Sequence, residues 1–412
     1  MRVTTDPNNE NTIRTVAVIG LGTMGAGIAE VFARAGLTVR GIEYNEDALD
    51  RGRGVLQKST DRAVSRGKLS SEDQAALLGR IDFTTDTAVG VKDADLVVEA
   101  VSEKLELKQQ IFRTVDEAAP AHAILATNTS SLSITSIATV VTDPSRVLGV
   151  HFFNPAPVQT LVELIRAIHT SDAAIDRMTR LMTSLGKSPI VCGDRAGFIV
   201  NALLVPYLGQ AVRLYSNGFC TREEMDSAMV EKAGYPMGPL TLVDLVGVDV
   251  CEDVLERMFQ ESKDRLRSTP ELLHQLVTAG MLGRKTGRGL YTYADGKATD
   301  EPGVVRPPRV SRAHELPDRL VCNYLNQALR MVEENYASLD DIDTGMAEGC
   351  RMPRPFEVLV ELTPTHVLDV QRRLYEESGE PGHRPSRLLV QLAGSDDAAA
   401  AVAELRRATA RA

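Results

Sequence analysis

Residues 16 to 29 read VAVIGLGTMGAGIA, and this run constrains the fold more than any other segment of the chain. Val16 to Ile19 form an apolar tetrad of the kind shown by a strand buried on both faces, and Gly20, Gly22 and Gly25 follow as G-x-G-x-x-G. Ile28, Val31, Phe32 and Ala35 then recur at helical spacing. Strand, glycine turn and helix in that order bring backbone N–H groups and a helix N-terminus to where a pyrophosphate binds. Such a unit calls for an acid about 20 residues further on, to accept hydrogen bonds from the adenosine ribose. Gly36 ends the helix, Leu37 to Ile42 supply the strand, and Glu43 stands at its tip. A carboxylate there repels a 2′-phosphate, so the pattern predicts NAD(H) rather than NADP(H). Read without the motif, Glu43 is a solvated strand-end charge.

At 412 residues the chain exceeds one ordinary core, which predicts two or three domains. Hydrophobic residues make up 43% and no long single-sign block interrupts them, so most of the chain is expected to fold. A net charge of −10 argues against a nucleic-acid surface. No stretch suits a membrane span, and the N-terminal MRVTTDPNNENTIR lacks the apolar core of a secretion signal, which predicts a cytoplasmic protein. Cys192, Cys220, Cys251, Cys322 and Cys350 are scattered without the close pairing of a zinc site or redox dithiol. They read as small apolar residues in a reducing compartment, and no metal site is expected.

Strand candidates recur at Leu96 to Glu99, Ala123 to Ala126 and Val147 to Val150, separated by helical patterns, with a long polar helical excursion over residues 45–80. This alternation predicts an α/β, doubly wound parallel sheet over residues 12–192, after a tail at 1–11. Helical periodicity takes over in a second domain, 193–294, closed by the basic loop LGRKTGRGLYTY. A linker at 295–316 leads to a third segment, 317–396, which repeats the second. A displacement of 117 residues sets Tyr207, Leu208, Gln210, Ala211 and Arg213 upon Tyr324, Leu325, Gln327, Ala328 and Arg330. It also matches Asp226 to Asp343 and Met229 to Met346, and Pro270-Glu-Leu-Leu resembles Pro385-Ser-Arg-Leu-Leu after a small shift. An Ala-rich tail, 397–412, ends the chain. The fold class is thus α/β plus all-α, a Rossmann-type sheet followed by two related helical domains.

Oxidation of an alcohol by hydride transfer needs a base for the hydroxyl proton, a group supporting that base, and donors for the oxygen. His151 directly follows the last strand pattern, at the edge where ligands of such sheets bind, and Glu163 is placed to pair with it. NTSS at 128–131 follows another strand, and Asn201 opens the helical domain. From spacing alone each residue also has a bland reading: His151 as a structural histidine, Ser130 as a helix cap, Glu163 as a strand-surface charge, Asn201 as a polar junction residue.

The motifs GLGTMGAGIA, VVEAVSEKLELKQQIF, TNTSSLSIT, HFFNPAPVQTLVELI, DRAGFIVNALLVPYLGQA, YPMGPLTLVDLVGVDV and LGRKTGRGLYTY run in family order across about residues 14–293 and resemble the 3-hydroxyacyl-CoA dehydrogenases, especially the bacterial 3-hydroxybutyryl-CoA members. The resemblance implies NAD-dependent, reversible oxidation of a (3S)-3-hydroxyacyl-CoA to the 3-oxoacyl-CoA on a short chain such as 3-hydroxybutyryl. It implies His151 as catalytic base with Glu163 as its partner, and Ser130 and Asn201 as donors to the substrate oxygens. For the cofactor it implies Gly20, Gly22, Thr23, Met24, Gly25, Glu43 and Asn128, with Glu103 and Lys108 near the nicotinamide half. Ser59 and Arg66 fall where the family's helical excursion meets CoA, although Lys58 and Lys68 are alternatives and Arg66 also reads as a solvated charge. Thr127, Gln159-Thr160 and Ala202 depart from the residues the family often carries, so acyl preference does not transfer.

In the third segment Asp318 occupies the position of Asn201 with no equivalent His or Glu, which predicts a catalytically silent copy. The partner expected is an acyl-CoA substrate, with neither nucleic acid nor membrane. The chain is expected as a monomer whose helical copies form an internal pseudo-dimer, or as a homodimer. Rival readings are a β-hydroxyacid dehydrogenase acting on a non-CoA substrate, disfavoured because GFIVNALLVPY carries no lysine base, and a nonenzymatic NAD-binding protein of the same fold.

Overall fold

The computed structural model describes residues 13–299, 301, 303–305, 308 and 310–410, so the tail assigned to 1–11 lies outside the described residues. The chain divides into two compact units, Met1–Arg195 and Ala196–Ala412.

The first unit runs β1 (Thr15–Ile19), α1 (Thr23–Arg34), β2 (Thr38–Ile42), α2 (Glu46–Ser65), α3 (Ser71–Leu78), β3 (Ile81–Thr84), α4 (Thr87–Val91), β4 (Leu96–Glu99), α5 (Leu105–Ala118), β5 (Ile124–Thr127), α6 (Ile134–Ala138), β6 (Val147–Phe152), β7 (Leu161–Arg166), α7 (Asp172–Ser184) and β8 (Ser188–Gly193). One sheet takes the order β3-β2-β1-β4-β5-β6-β7-β8. The order reverses beside β1, which opens a crevice at the carboxyl ends of β1 and β4. Val16, Val18, Leu96 and Val98 are fully buried, as strands covered on both faces require, and α1 lays Ile28 and Phe32 on the sheet. The Phe32 ring meets Phe152 edge-on at 6.3 Å between centroids, tying α1 to β6. Burying each such side chain is worth about 1.5–3 kcal/mol.

Every strand pair in this sheet is parallel except β6–β7, so β7 and β8 together run against the other six strands. His151 therefore lies inside β6 rather than beyond the last strand. The sequence reading marks no strand at β7, where Glu163 interrupts an otherwise apolar run, LVELIR, although the plain reading of Glu163 as a strand-surface charge already places it on one. It passed over β8 because Ser188-Pro189 opens it and its burial alternates. Strand β3, IDFT, is short and half exposed.

The second unit holds α8 (Val200–Ser216), α9 (Arg222–Ser227) leading into a π-helical turn at Ala228–Lys232, α10 (Pro239–Val246), α11 (Val248–Ser262), α12 (Glu271–Thr278) and a hairpin of β9 (Tyr293–Ala294) with β10 (Lys297–Ala298). A π-helical turn at Asp318–Cys322 then leads into α13 (Asn323–Glu333), followed by α14 (Leu339–Cys350), α15 (Pro355–Leu362), α16 (Pro364–Ser378), α17 (Arg387–Ala393) and α18 (Ala398–Thr409).

The two halves repeat each other down to single hydrogen bonds. Asp226 accepts from the N–H of Leu240 at 2.8 Å, and Asp343 from that of Phe356 at 3.0 Å. Arg213 Nη2 donates to the Ser268 carbonyl at 2.8 Å, and Arg330 Nη2 to that of Arg384 at 2.7 Å. The displacement is 117 through Met229 and Met346 but 116 from Pro239 and Pro355 onward, because YPMGP is one residue longer than MPRP. At that displacement Pro270 pairs with Ser386 rather than Pro385. The Ala-rich end is helix α18, and Arg406 fastens it to Asp343 at 2.6 Å and to Asp340.

Candidate active site

The glycine turn is shaped by two close approaches. Gly20 has φ +88°, open to glycine but strained for other residues, and a Cβ on Gly25 would run into the Gly20 carbonyl. Gly22 meets nothing, and no side chain caps α1, so the turn offers space and backbone amides to an anion. Thr23 and Met24 open the helix there. A cavity of about 670 Å³ adjoins the turn, lined by Gly20, Gly22, Glu43, Tyr44, Val101 and Gln110 among others. Glu43 accepts from the Leu21 N–H at 2.6 Å, which sets its carboxylate beside the turn. Tyr44, unremarked in the sequence, is 76% exposed and offers an aromatic wall. These residues suit the two phosphates and ribose of a dinucleotide.

His151 and Glu163 face one another in the β6–β7 register. Antiparallel pairing brings such side chains together on one face, and His151 Nδ1 lies 2.7 Å from Glu163 Oε2. A carboxylate only accepts, so Nδ1 carries the proton and the tautomer is set. Glu163 is fully buried and His151 is 8% exposed. The Phe153 ring lies 4.8 Å from the imidazole. Asn128, at the end of β5, accepts from the Phe152 N–H at 2.9 Å and so aligns the tip of β5 with that of β6.

Glu103 organises the NTSS turn. Its carboxylate accepts from the Thr129 hydroxyl, from the Ser131 hydroxyl at 3.0 Å and from the Ser130 N–H at 3.1 Å. Burial alone would raise its pKa, but Thr129, Lys108, Ser131 and Ser130 together hold it below the usual range. Ser130 itself is exposed. Lys108 is sealed inside: its ammonium donates to both oxygens of Glu99, at 2.7 and 2.9 Å, and lies 3.4 Å from Glu103. Glu99 also accepts from the Val101 N–H at 2.6 Å and the Thr127 hydroxyl at 2.7 Å. The sequence reading missed Glu99, although an acid closing the apolar run LVV was its signal.

Ser59 donates to Glu30 at 2.6 Å, bracing α2 against α1, while Arg66 is exposed at the C-terminus of α2. Asn201 sits in the first turn of α8, in the second unit. The loop LGRKTGRGLYTY is held by Asp244, which accepts from the N–H groups of Leu290 and Tyr291 at 2.9 and 2.8 Å. Burial pushes the thiols of Cys220 and Cys251 up to about 12, which makes them inert at neutral pH.

Residues 15–195 match the family model described as 3-hydroxyacyl-CoA dehydrogenase, NAD binding domain. Residues 197–293 and again 317–402 match 3-hydroxyacyl-CoA dehydrogenase, C-terminal domain. A Mycobacterium tuberculosis protein named 3-hydroxybutyryl-CoA dehydrogenase is 47% identical over 283 residues, spanning 68% of this chain and 99% of its own. The human mitochondrial hydroxyacyl-coenzyme A dehydrogenase is 42% identical over 288 residues, 68% of this chain and 91% of its own. The crystal structure of 3-hydroxybutyryl-CoA dehydrogenase from Escherichia coli K12 superposes with a TM-score of 0.84 at 31% identity, covering 93% of this chain and 98% of that one.

Proposed function

The chain belongs to the 3-hydroxyacyl-CoA dehydrogenase family, and on that premise we propose that it interconverts a (3S)-3-hydroxyacyl-CoA and its 3-oxoacyl-CoA, on short chains such as 3-hydroxybutyryl. The observation that carries the reading is the 2.7 Å contact of His151 Nδ1 with the buried Glu163. With Nδ1–H held by the carboxylate, proton exchange belongs to Nε2, which takes the hydroxyl proton in oxidation and returns it in reduction. Glu163 stabilises the imidazolium that forms, more strongly for being out of water. Bound NAD⁺ supplies the hydride acceptor. Ser130 and Asn201 are assigned to the substrate oxygens by their motifs, Glu103 and Lys108 to the nicotinamide half, Asn128 to the cofactor, and Arg66 to CoA; Lys108, engaged by Glu99, acts there through Glu103. Ser59, engaged by Glu30, is the weaker CoA candidate. The mostly buried cysteines suit a reducing, cytoplasmic setting.

The decisive experiment follows NADH loss with acetoacetyl-CoA and with free acetoacetate. Turnover confined to the thioester is expected. Turnover of the free acid alone identifies a β-hydroxyacid dehydrogenase, and NADH binding without any turnover identifies a nonenzymatic protein.

We read the second helical copy as standing in for a partner subunit. Tyr207 and Tyr324 occupy equivalent positions in the two copies, and their rings meet at 6.3 Å. Residues near a two-fold axis contact their own equivalents in this way. Asn323 Nδ2 donates to Gln210 Oε1 at 2.7 Å beside them. A chain ending at residue 299 should then dimerise or aggregate in sedimentation; one that stays monomeric and equally stable refutes the reading.

A further inference from the structure

At the displacements set by the repeat, Asn201, Val205 and Val250 correspond to Asp318, Cys322 and His366. The carboxylate, thiol and imidazole donor atoms of these three all lie within 4.8 Å of one another. Asp318 and Cys322 are four residues apart in a π-helical turn, a rare conformation that recurs at functional sites. His366 comes from the first turn of α16, where the Thr363 hydroxyl accepts its backbone N–H.

We propose that Asp318, Cys322 and His366 form a zinc-class divalent metal site with one open coordination position. Carboxylate, thiolate and neutral imidazole are the donor set of Zn²⁺, and three protein ligands plus an open position make the usual unsaturated arrangement. Bonds of about 2.0–2.3 Å to a tetrahedral ion place ligand atoms roughly 3.5 Å apart. Asp318 Oδ1 and His366 Nε2 stand 3.1 Å apart, and the thiol lies within 4.8 Å of both side chains. The competing cation, Arg373, lies 3.9 Å from the other oxygen, Oδ2, and leaves Oδ1 to the metal. Burial is graded as a site with an entry path requires: Cys322 is fully buried, whereas the Asp318 and His366 side chains are each 42% exposed. Asp318 also lines a cavity of about 480 Å³ with Arg319, Arg373 and Glu377. Without metal the same residues are an exposed Asp–His pair above a core cysteine, so the experiment must distinguish binding from packing.

The full chain, freed of metal by a chelator, is titrated with Co²⁺ and followed by absorption. One ion per chain is expected, with a thiolate-to-cobalt charge-transfer band and tetrahedral visible bands, all displaced by Zn²⁺. Cys322→Ser should remove the charge-transfer band, and Cys350→Ser should leave it. Asp318→Asn and His366→Asn alter half-exposed side chains and should weaken Zn²⁺ binding by roughly 100-fold or more, since even supporting residues of metal sites contribute 10- to 100-fold. No such band at saturating cobalt, a band that survives Cys322→Ser, or unchanged affinity in both Asn variants overturns the proposal.

Discussion

The sheet holds two buried carboxylates, each paired with a nitrogen base, within a few strands of each other, and the pairs are built for opposite ends. Glu99 and Lys108 each expose 1% of their side chains, and the remaining acceptor capacity of Glu99 goes to the Val101 N–H and the Thr127 hydroxyl. This is a closed knot joining β4, β5 and α5. Glu163 is as deeply buried, but its partner is an imidazole with 10% of its side chain exposed, the group whose ordinary pKa lies nearest neutral pH. Burial of a carboxylate therefore says little about its role. The partner's proton chemistry and its reach decide.

The contrast breaks first at His151→Gln. General-base assistance contributes about 10²–10⁴ in rate, so kcat for acetoacetyl-CoA reduction should fall by that factor while NADH affinity stays within a few fold by fluorescence titration. Near-normal turnover would reduce the β6–β7 pair to a structural contact like its neighbour. Next is Glu99→Gln, which strips the charge partner from a sealed ammonium. Breaking a buried pair from one side costs about 3–5 kcal/mol, read as a lower urea midpoint. A variant as stable as wild type would show that water reaches Lys108. Third is Glu163→Gln, expected to lower kcat by about 10²-fold, within the range for general-base catalysis, with a smaller loss of stability than Glu99→Gln. If it costs as much stability as Glu99→Gln and spares kcat, the β6–β7 pair is a structural contact rather than a catalytic one.

What the sequence made legible follows the same division. The glycine turn, Glu43, the parallel strands and the duplication were readable because backbone requirements and apolar periodicity write themselves into consecutive residues. The His151–Glu163 partnership was readable as a candidate only, since twelve residues of separation become a contact through β7, a strand that Glu163 itself conceals. The family's motifs, rather than spacing, singled it out. Glu99 and Asp244 stayed hidden because their partners are backbone amides and residues distant in sequence. The grouping of Asp318, Cys322 and His366 was invisible for the same reason: two members share a π turn, and the third comes from another helix.

Lys187 gives the subtlest test, because it is a cation set among carbonyls where Lys108 has carboxylates. Its ammonium donates to the carbonyls of Ala156 and Gln159 at 2.7 and 2.6 Å, holding the loop that leaves His151. Burial first, and Arg34 second, depress its pKa from the ordinary 10.5 to about 8. Between those two values the unfolded chain binds more protons at this site than the folded one, so the contribution of Lys187 to stability rises with pH across the window and falls as pH drops through about 8. Lys187→Met removes that dependence together with two hydrogen bonds. Denaturant unfolding at a series of pH values from 8 to 10.5 should therefore show wild type gaining on the variant as pH rises. Parallel stability curves would mean that the carbonyls of Ala156 and Gln159 compensate the buried ammonium fully, and that Lys187 contributes no pH dependence to stability.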